Sequence, residues 1–164
     1  MLLYCVQKRY TMILTDFVFR LVASIMAGAM VGLEREFNNK SAGFRTNTLV
    51  AMGACIYVLI NMRLADHGGA DPTRIIGQIV TGIGFLGAGV ILHHGGNIHG
   101  LTTAATIWVS AALGSLAGLG LYWEALICTV AVLIINTTFK TDKFLKKWEN
   151  REEETHFEPN EDLD

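Results

Sequence analysis

Cysteine is scarce in this sequence, and there is no excess of positive charge. The three cysteines, Cys5, Cys55 and Cys128, are far apart and lack the spacing of a disulfide framework or a metal site. Two of them fall inside apolar segments, so we predict buried, reduced thiols. The formal net charge of −2 gives no general basic character, and we therefore expect no nucleic acid partner.

Catalytic motifs are also missing. The sequence contains no G-x-S-x-G, no H-E-x-x-H and no phosphate-binding loop. His93, His94 and His99 lie close together, but no carboxylate accompanies them and hard cations prefer oxygen ligands. We therefore expect no enzyme activity, no catalytic residues, no metal site and no cofactor.

What the sequence does have is long apolar segments, of which the most unusual is 75–92, IIGQIVTGIGFLGAGVIL. Its five glycines would be hard to justify in a soluble helix, because each costs about 1 kcal/mol relative to alanine. In a bilayer the helix keeps its backbone hydrogen bonds, and small residues become contact surfaces. We predict that this segment is the central helix of a membrane bundle. The alternative is a soluble, glycine-rich strand-and-turn region.

Four further segments have the length and apolarity of membrane-spanning helices, at 17–33, 46–62, 101–121 and 123–139. Arg20 interrupts the first, which favours an uncleaved helix over a signal peptide and should place Arg20 among the lipid headgroups. The sequence leaves open whether Met1 or Met12 is the start. We predict an all-α integral membrane bundle of five transmembrane helices in residues 1–139. The tail, 140–164, is basic and then acidic, and is expected to be partly disordered.

Small residues recur along these segments at spacings that suit helix contacts. They can serve packing within the bundle or docking of a partner, and the sequence does not divide them between the two. The residues concerned are Gly28, Gly32, Gly77, Gly82, Gly84, Gly87, Ala88, Gly114 and Gly118.

The distribution of positive charge predicts the orientation. With five spans, the loop after the first, the loop after the third and the C-terminus share one side, and this side carries more Lys and Arg than the other. By the positive-inside rule it is cytoplasmic, which places the N-terminus outside. The lysines after the last span also suit anionic lipid headgroups.

Polar residues collect at both predicted mouths of the bundle. At the cytoplasmic mouth we expect a functional cluster in which Glu34 can pair with Arg45; the alternative is ordinary helix ends, with Thr46 or Asn47 as the cap of the second helix. Thr102 and Thr103 are expected to cap the fourth helix, and their hydroxyls can also hydrogen-bond across the helix interface. The cluster consists of Glu34, Arg35, Arg45, Thr46, Asn47, Thr102 and Thr103.

At the outer mouth, Asp71, Arg74 and Gln78 step along one helix at i, i+3 and i+7. Asp71 is placed to cap this helix, with Pro72 at its first position. Gln78 lies a turn inside the membrane, where its amide should pair with another helix.

Four stretches resemble the membrane domain of the MgtC/SapB family: GLERE at 32–36, AGFRTNTLVAMGA at 42–54, DPTRIIGQIVTGIGFLGAGVIL at 71–92 and GLTTAATIWVSAALG at 100–114. The resemblance covers nearly all of 21–139. It implies a five-span protein of the bacterial inner membrane, linked to growth under magnesium limitation and, in pathogens, to virulence. Many members continue into an ACT-like domain, for which the tail is too short, so we expect no ligand sensing by such a domain.

Two functions remain in view. The first is a non-enzymatic protein that acts in magnesium limitation or stress by contacting other membrane proteins, with the lipid bilayer and further copies of the chain as additional partners. The second is a transporter or channel for magnesium or another cation, lined by Glu34, Asp71 and Gln78. The interiors of the five apolar segments contain no Asp or Glu, and this absence favours the first function, because carriers place carboxylates at membrane depth.

Overall fold

The structure is a computed structural model. It describes the backbone of residues 2–65, 71–94 and 97–138, and the side chains of 14–64, 71, 73–91 and 99–138. The predicted tail, 140–164, lies outside the described residues, as do the side chains of His93 and His94. In chain order the elements are α1 (Leu2–Phe37), α2 (Phe44–Ala65), α3 (Pro72–Val90), β1 (Leu92–His94), β2 (Asn97–His99), α4 (Leu101–Gly118) and α5 (Tyr122–Thr138).

The predicted all-α bundle of five helices is confirmed within the described residues. Four helices, from α1 to α4, contain stretches of 18 to 24 residues that are long and apolar enough to cross a membrane, whereas α5 is an apolar helix of 17 residues. Between α3 and α4, the short strands β1 and β2 form an antiparallel hairpin.

Gly100 and Gly120 set the turns on either side of α4. Both have positive φ, at 92° and 80°, a conformation that glycine adopts without steric cost. A Cβ on Gly100 would lie 2.1 Å from the carbonyl oxygen of Val90. Gly100 is the N-cap of α4 and no side chain bonds to this end, so the prediction that Thr102 or Thr103 caps the helix is wrong.

The central helix is α4, and the prediction that α3 is central is wrong. α4 contacts each of the other four helices, whereas α3 packs against α4 and more sparsely against α2. In the membrane-spanning stretch, 56% of the residues of α4 are buried and only 6% of those of α3. The physical reason is that the backbone of α2 lies directly against Gly114 and Gly118 of α4, whereas most glycines of α3 have no described atom of another helix beside them.

Glycines bring α1, α2 and α4 together at backbone distance. A Cβ on Gly114 of α4 would lie 1.9 Å from the carbonyl oxygen of Ala51, and one on Gly118 would lie 2.9 Å from the Cβ of Val58. On α1, a Cβ on Gly28 would lie 2.7 Å from the carbonyl oxygen of Asn47. These distances are shorter than any real Cβ contact, so the three helices can pack this closely only without side chains at these positions.

Arg20 braces the end of the bundle that is remote from Gly32. Its Nη1 donates to the carbonyl oxygen of Gly118 at 2.8 Å and to the sulfur of Met62 at 3.4 Å. Its Nε lies 2.9 Å from Asp16 Oδ2 as an ion pair, although the N–H is not aligned for a hydrogen bond. Arg20 thus joins α1 to α2 and α4 within the protein, in addition to any contact with headgroups.

The cysteines do not share one environment. Cys55 is fully buried in α2, and Cys128 is exposed on α5. The prediction of buried thiols therefore holds for Cys55 and is wrong for Cys128, because Cys128 lies on the outward face of a peripheral helix. The side chain of Cys5 lies outside the described residues.

Candidate functional site

A buried arginine lies where α1 ends. Arg35 is only 2% exposed, and its guanidinium makes four hydrogen bonds. Nη2 donates to Thr103 Oγ1 at 2.6 Å and to the carbonyl oxygen of Ser41 at 2.8 Å; Nε donates to the same carbonyl at 3.1 Å, and Nη1 donates to Thr106 Oγ1 at 3.3 Å. These four residues form what we call the Arg35 cluster. In the described chain no carboxylate forms an ion pair with Arg35.

The loop between α1 and α2 has the shape that delivers Ser41 to this cluster. The amide of Lys40 donates to the carbonyl oxygen of Arg35 at 2.9 Å, which folds the chain back over the end of α1. Asn39 and Ala42 both have positive φ, at 52° and 55°. This conformation is common for asparagine but unusual for alanine. The backbone of the turn is therefore strained at Ala42, and this turn places the carbonyl oxygen of Ser41 against the guanidinium of Arg35.

Asn47 makes a second buried polar contact beside the Arg35 cluster. The side chain is fully buried, and its Nδ2 donates to the carbonyl oxygens of Ala42 and Gly43. Its Oδ1 accepts a hydrogen bond from Ser110 of α4 at 2.8 Å. Asn47 lies inside α2, so it is not the cap that the sequence suggested. It fastens the start of α2 to both the loop and α4.

Close helix packing positions both polar contacts. A Cβ on Gly32 would lie 2.7 Å from the Cα of Phe44, so α1 and the first turn of α2 touch through their backbones. Glu36 then reaches the same turn, where its Oε2 accepts a hydrogen bond from the amide of Phe44 at 2.9 Å. This carboxylate satisfies an amide that the helix itself leaves unpaired.

Glu34 does not pair with Arg45, and this prediction is wrong. Its Oε1 accepts from Asn38 Nδ2 at 2.7 Å, and its Oε2 accepts from Asn136 Nδ2 at 3.0 Å. The second bond joins the end of α1 to the end of α5. Arg45 points outward from the first turn of α2 and is exposed, because the loop directs the other side of this turn toward α1.

Of the seven residues predicted at this mouth, the structure brings four into the buried or half-buried interior. Arg35 and Thr103 share the Arg35 cluster, Asn47 lies beside it, and Glu34 faces α5. The other three, Arg45, Thr46 and Thr102, are exposed.

The sequence analysis missed Ser41, Thr106, Ser110 and Asn136. A signal for two of them was available, because Thr103, Thr106 and Ser110 stand at i, i+3 and i+7 and therefore on one face of α4. Nothing comparable marks Ser41, whose carbonyl rather than its side chain binds Arg35.

The predicted outer-mouth residues all lie at the start of α3 but do not form a cluster. Asp71 caps the helix as predicted: its Oδ1 accepts from the amide of Thr73 at 2.9 Å and from Thr73 Oγ1 at 2.8 Å. The hydroxyl hydrogen bond, followed by the amide hydrogen bond, lowers the pKa of Asp71 below its ordinary value. The cap is therefore fully ionised at neutral pH, and its contribution is lost as the pH falls through that lowered pKa. Arg74 and Gln78 are exposed.

No group of three or more His, Cys, Asp or Glu residues suited to a metal ion occurs among the described residues. His99 is exposed, and the side chains of His93 and His94 are not described. The prediction about these histidines therefore stays a prediction.

The residues that form this site lie within a stretch of sequence that matches a known family. The model of the MgtC family matches residues 21–143, a range that contains the Arg35 cluster, Asn47 and all of α2 to α5. The chain belongs to the MgtC family.

Curated members of the MgtC family cover most of this chain at substantial identity. Protein MgtC of Salmonella typhimurium (strain LT2) is 46% identical over 125 residues, which is 76% of this chain and 53% of the relative. Protein MgtC of Brucella abortus (strain 2308) is 46% identical over 120 residues, covering 73% of this chain and 50% of the relative. The chain thus spans about half the length of the curated MgtC proteins that it matches. No solved structure matches it.

Membership of the MgtC family and the several apolar helices together identify this chain as a multi-pass membrane protein. In this setting the Arg35 cluster stabilises one end of the bundle. It joins α1, the loop and α4 through hydrogen bonds to neutral oxygens, and a buried arginine is costly to the fold if these acceptors are removed. The site can therefore hold the end of α1, the loop after it and the start of α4 in fixed positions relative to one another.

Proposed function

We propose that this chain is an MgtC-like protein of the bacterial inner membrane that acts without enzymatic chemistry, in adaptation to magnesium limitation or stress, by contacting other membrane proteins. MgtC is not a known family of enzymes. The contact surface is the side of α3 that faces away from the bundle. The N-terminus lies outside and the C-terminus is cytoplasmic, as the distribution of Lys and Arg favours.

The observation that carries this proposal is an outward face of small residues on α3. Gly77, Thr81, Gly84 and Ala88 stand at i, i+4, i+7 and i+11 and are all exposed. In the described parts of the chain, no atom of a neighbouring element lies within 4 Å of a Cβ built on Gly77 or Gly84. We call these four residues the outward face of α3.

The outward face suits a partner helix in a membrane. Small residues let two backbones approach closely, and van der Waals contact is what drives helix association in lipid. Thr81 Oγ1 donates to the carbonyl oxygen of Gly77 at 2.9 Å, so its polar atom is satisfied within α3 and a methyl group is presented outward. Among the described residues nothing packs against Gly77 or Gly84, and this supports partner docking as their use.

The cation transporter is the weaker candidate. A carrier needs carboxylates at membrane depth. Among the described residues of the helices, the acidic side chains are Asp16, Glu34, Glu36 and Glu124. Glu34 and Glu36 hold the end of α1, Asp16 pairs with Arg20, and Glu124 lies in the first turn of α5.

A growth assay tests the proposal. In a bacterium that lacks its own MgtC, the chain should restore growth in low-magnesium medium. Ala88→Leu should weaken this rescue, because a large side chain in a tight helix contact costs about 1–3 kcal/mol, roughly tenfold in affinity. The matched control is Ala131→Leu on the exposed side of α5, which should rescue fully.

Both variants must accumulate in the membrane to the level of the unchanged chain. Equal rescue by Ala88→Leu and Ala131→Leu would remove the outward face from the proposal. Magnesium uptake into liposomes that contain only this protein, above that of empty liposomes, would instead favour the transporter.

A further inference from the structure

A groove separates α2 from α3 along the membrane-facing side of the bundle. Its volume is about 510 Å³, and apolar side chains such as Ile79 and Leu86 line most of it. Gly53 of α2 and Gly82 of α3 also line it, and no described atom of a neighbouring element lies within 4 Å of a Cβ built on either one. The two glycines therefore hold space open between the helices.

Polarity changes in order along α3 beside this groove. Arg74 is followed at intervals of one turn by Gln78, Gly82 and Leu86, and the last three line the groove. Tyr57 of α2 lines the groove as well. Because the helices run in opposite directions, it lies toward the same end as Gln78. From Arg74 to Leu86 the axial distance is about 18 Å at 1.5 Å per residue, close to one leaflet of a hydrocarbon core about 30 Å thick.

Arg74 is available to a ligand at the end of this groove. It is exposed, and among the described side chains its guanidinium has no hydrogen bond or ion pair. The nearest acidic residue on the helix, Asp71, interacts with Arg74 through its charge, but its Oδ1 accepts its hydrogen bonds from Thr73. Along the groove, the cation of Arg74 is followed by the amide of Gln78 and the phenol of Tyr57, and then by an apolar channel. A phospholipid requires complementary groups in this order, for its phosphate, its esters and an acyl chain.

We propose that the groove binds one phospholipid of the leaflet that faces the start of α3. Its phosphate lies on Arg74, its ester carbonyls lie at the depth of Gln78 and Tyr57, and one acyl chain runs past Gly53 and Gly82 to Leu86. A second helix is a poorer fit, because a helix 10–12 Å across would fill about 1,400–2,000 Å³ over the same length. The groove and the outward face are different sides of α3, so this inference does not rest on the proposed function.

Native mass spectrometry of the full chain in detergent, with added dioleoyl phosphatidylglycerol, tests the proposal. The unchanged protein should retain one lipid. Arg74→Gln should reduce the retained fraction about tenfold, the effect of losing a charge-assisted hydrogen bond. Gly82→Leu, which fills the groove, should abolish retention. Excess inorganic phosphate should not displace the lipid, because it offers no acyl chain.

Two matched controls separate this site from general lipid binding. Arg63→Gln removes another exposed cation at the same end, one that lies 5.5 Å over the ring of Phe17. Gly84→Leu adds the same bulk to α3 but on the outward face. Both should retain the lipid as the unchanged protein does.

Equal retention by all five proteins, displacement by inorganic phosphate alone, or a dimer that Gly82→Leu dissociates would each overturn the proposal. Its failure is distinguishable from that of the proposed function. Loss of lipid binding in Gly82→Leu leaves the outward face untested, whereas Ala88→Leu tests that face without entering the groove.

Discussion

Arg35 carries a positive charge in a place from which water is almost excluded. Burial of an unpaired charge is costly, and the cost falls when hydrogen bonds replace those that water provided. Here the replacements are neutral oxygens from the loop and from two threonines of α4. The stability of this end of the bundle therefore depends on each acceptor being present.

The first prediction concerns Thr103, whose hydroxyl accepts the shortest of these hydrogen bonds. Thr103→Val keeps the shape of the side chain and leaves a charged N–H of Arg35 without its partner. We expect the free energy of unfolding in detergent to fall by about 1–3 kcal/mol. Thr102→Val, one residue away and exposed, should change it little.

A double-mutant cycle isolates the interaction. In an Arg35→Met background the charged donor is absent, so Thr103→Val should cost much less than in the unchanged protein. The same loss in both backgrounds would mean that Thr103 stabilises the bundle by another route.

At the scale of elements, α3 and α4 carry similar small residues but have opposite roles. Gly114 of α4 lies against the carbonyl group of Ala51, while Gly84 of α3 faces open space. Within the part of the chain that the structure describes, Gly87 is the one glycine of α3 that lies near another helix, at 3.6 Å between an added Cβ and the Cβ of Ala104. The sequence left open whether Gly77, Gly82, Gly84 and Ala88 serve packing within the bundle or docking of a partner. All four are exposed, and among the described residues no other helix lies within 4 Å of a Cβ built on the three glycines.

This difference predicts opposite responses to the smallest possible substitution. Gly114→Ala places a methyl group inside the backbone of α2, so α2 and α4 must separate. We expect the free energy of unfolding to fall by about 1–3 kcal/mol or more. Gly84→Ala meets nothing and gains helix propensity, so stability should be unchanged or slightly higher. Thermal unfolding of both proteins in the same detergent measures the difference.

A Gly114→Ala protein as stable as the unchanged chain would contradict the tight α2–α4 contact. A Gly84→Ala protein that fails to accumulate would contradict the outward position of that face.

At the scale of the molecule, the contacts require α2 and α4 to run in the direction opposite to α1, and α5 to run in the same direction as α1. Gly32 near the end of α1 meets Phe44 at the start of α2, and Arg20 near the other end of the span reaches Met62 and Gly118. Glu34 meets Asn136 near the end of α5. The end of α1 and the end of α5 are therefore on the same side of the bundle.

The orientation of the bundle in the membrane is the prediction at this scale. A reporter fused after Trp148 should behave as cytoplasmic, and one fused before residue 2 should behave as external, because the side with more Lys and Arg stays inside. Alkaline phosphatase fusions, active only outside the cytoplasm, measure this. Activity on the same side for both fusions would contradict five crossings.

Much of this protein follows from the sequence because the relevant physics is local. Apolar length predicts the helices, and the Asp71-Pro72 pair predicts where α3 begins because a cap involves only neighbouring residues. The same reasoning cannot show which helix is central. A glycine is equally small on α3 and on α4, and its role depends on what lies opposite.

The tertiary structure decided the rest. Arg35 donates a hydrogen bond to Thr103, which lies 68 positions away in the sequence. Glu34 accepts a hydrogen bond from Asn136 and does not pair with the oppositely charged Arg45, because the loop turns Arg45 outward. Residue types and spacing determine which segments enter the bilayer and where they start. Which side chains bond to each other depends on the relative placement of the helices. Close backbone contacts, such as that between Gly114 and Ala51, set this placement, and they form only when the whole bundle assembles.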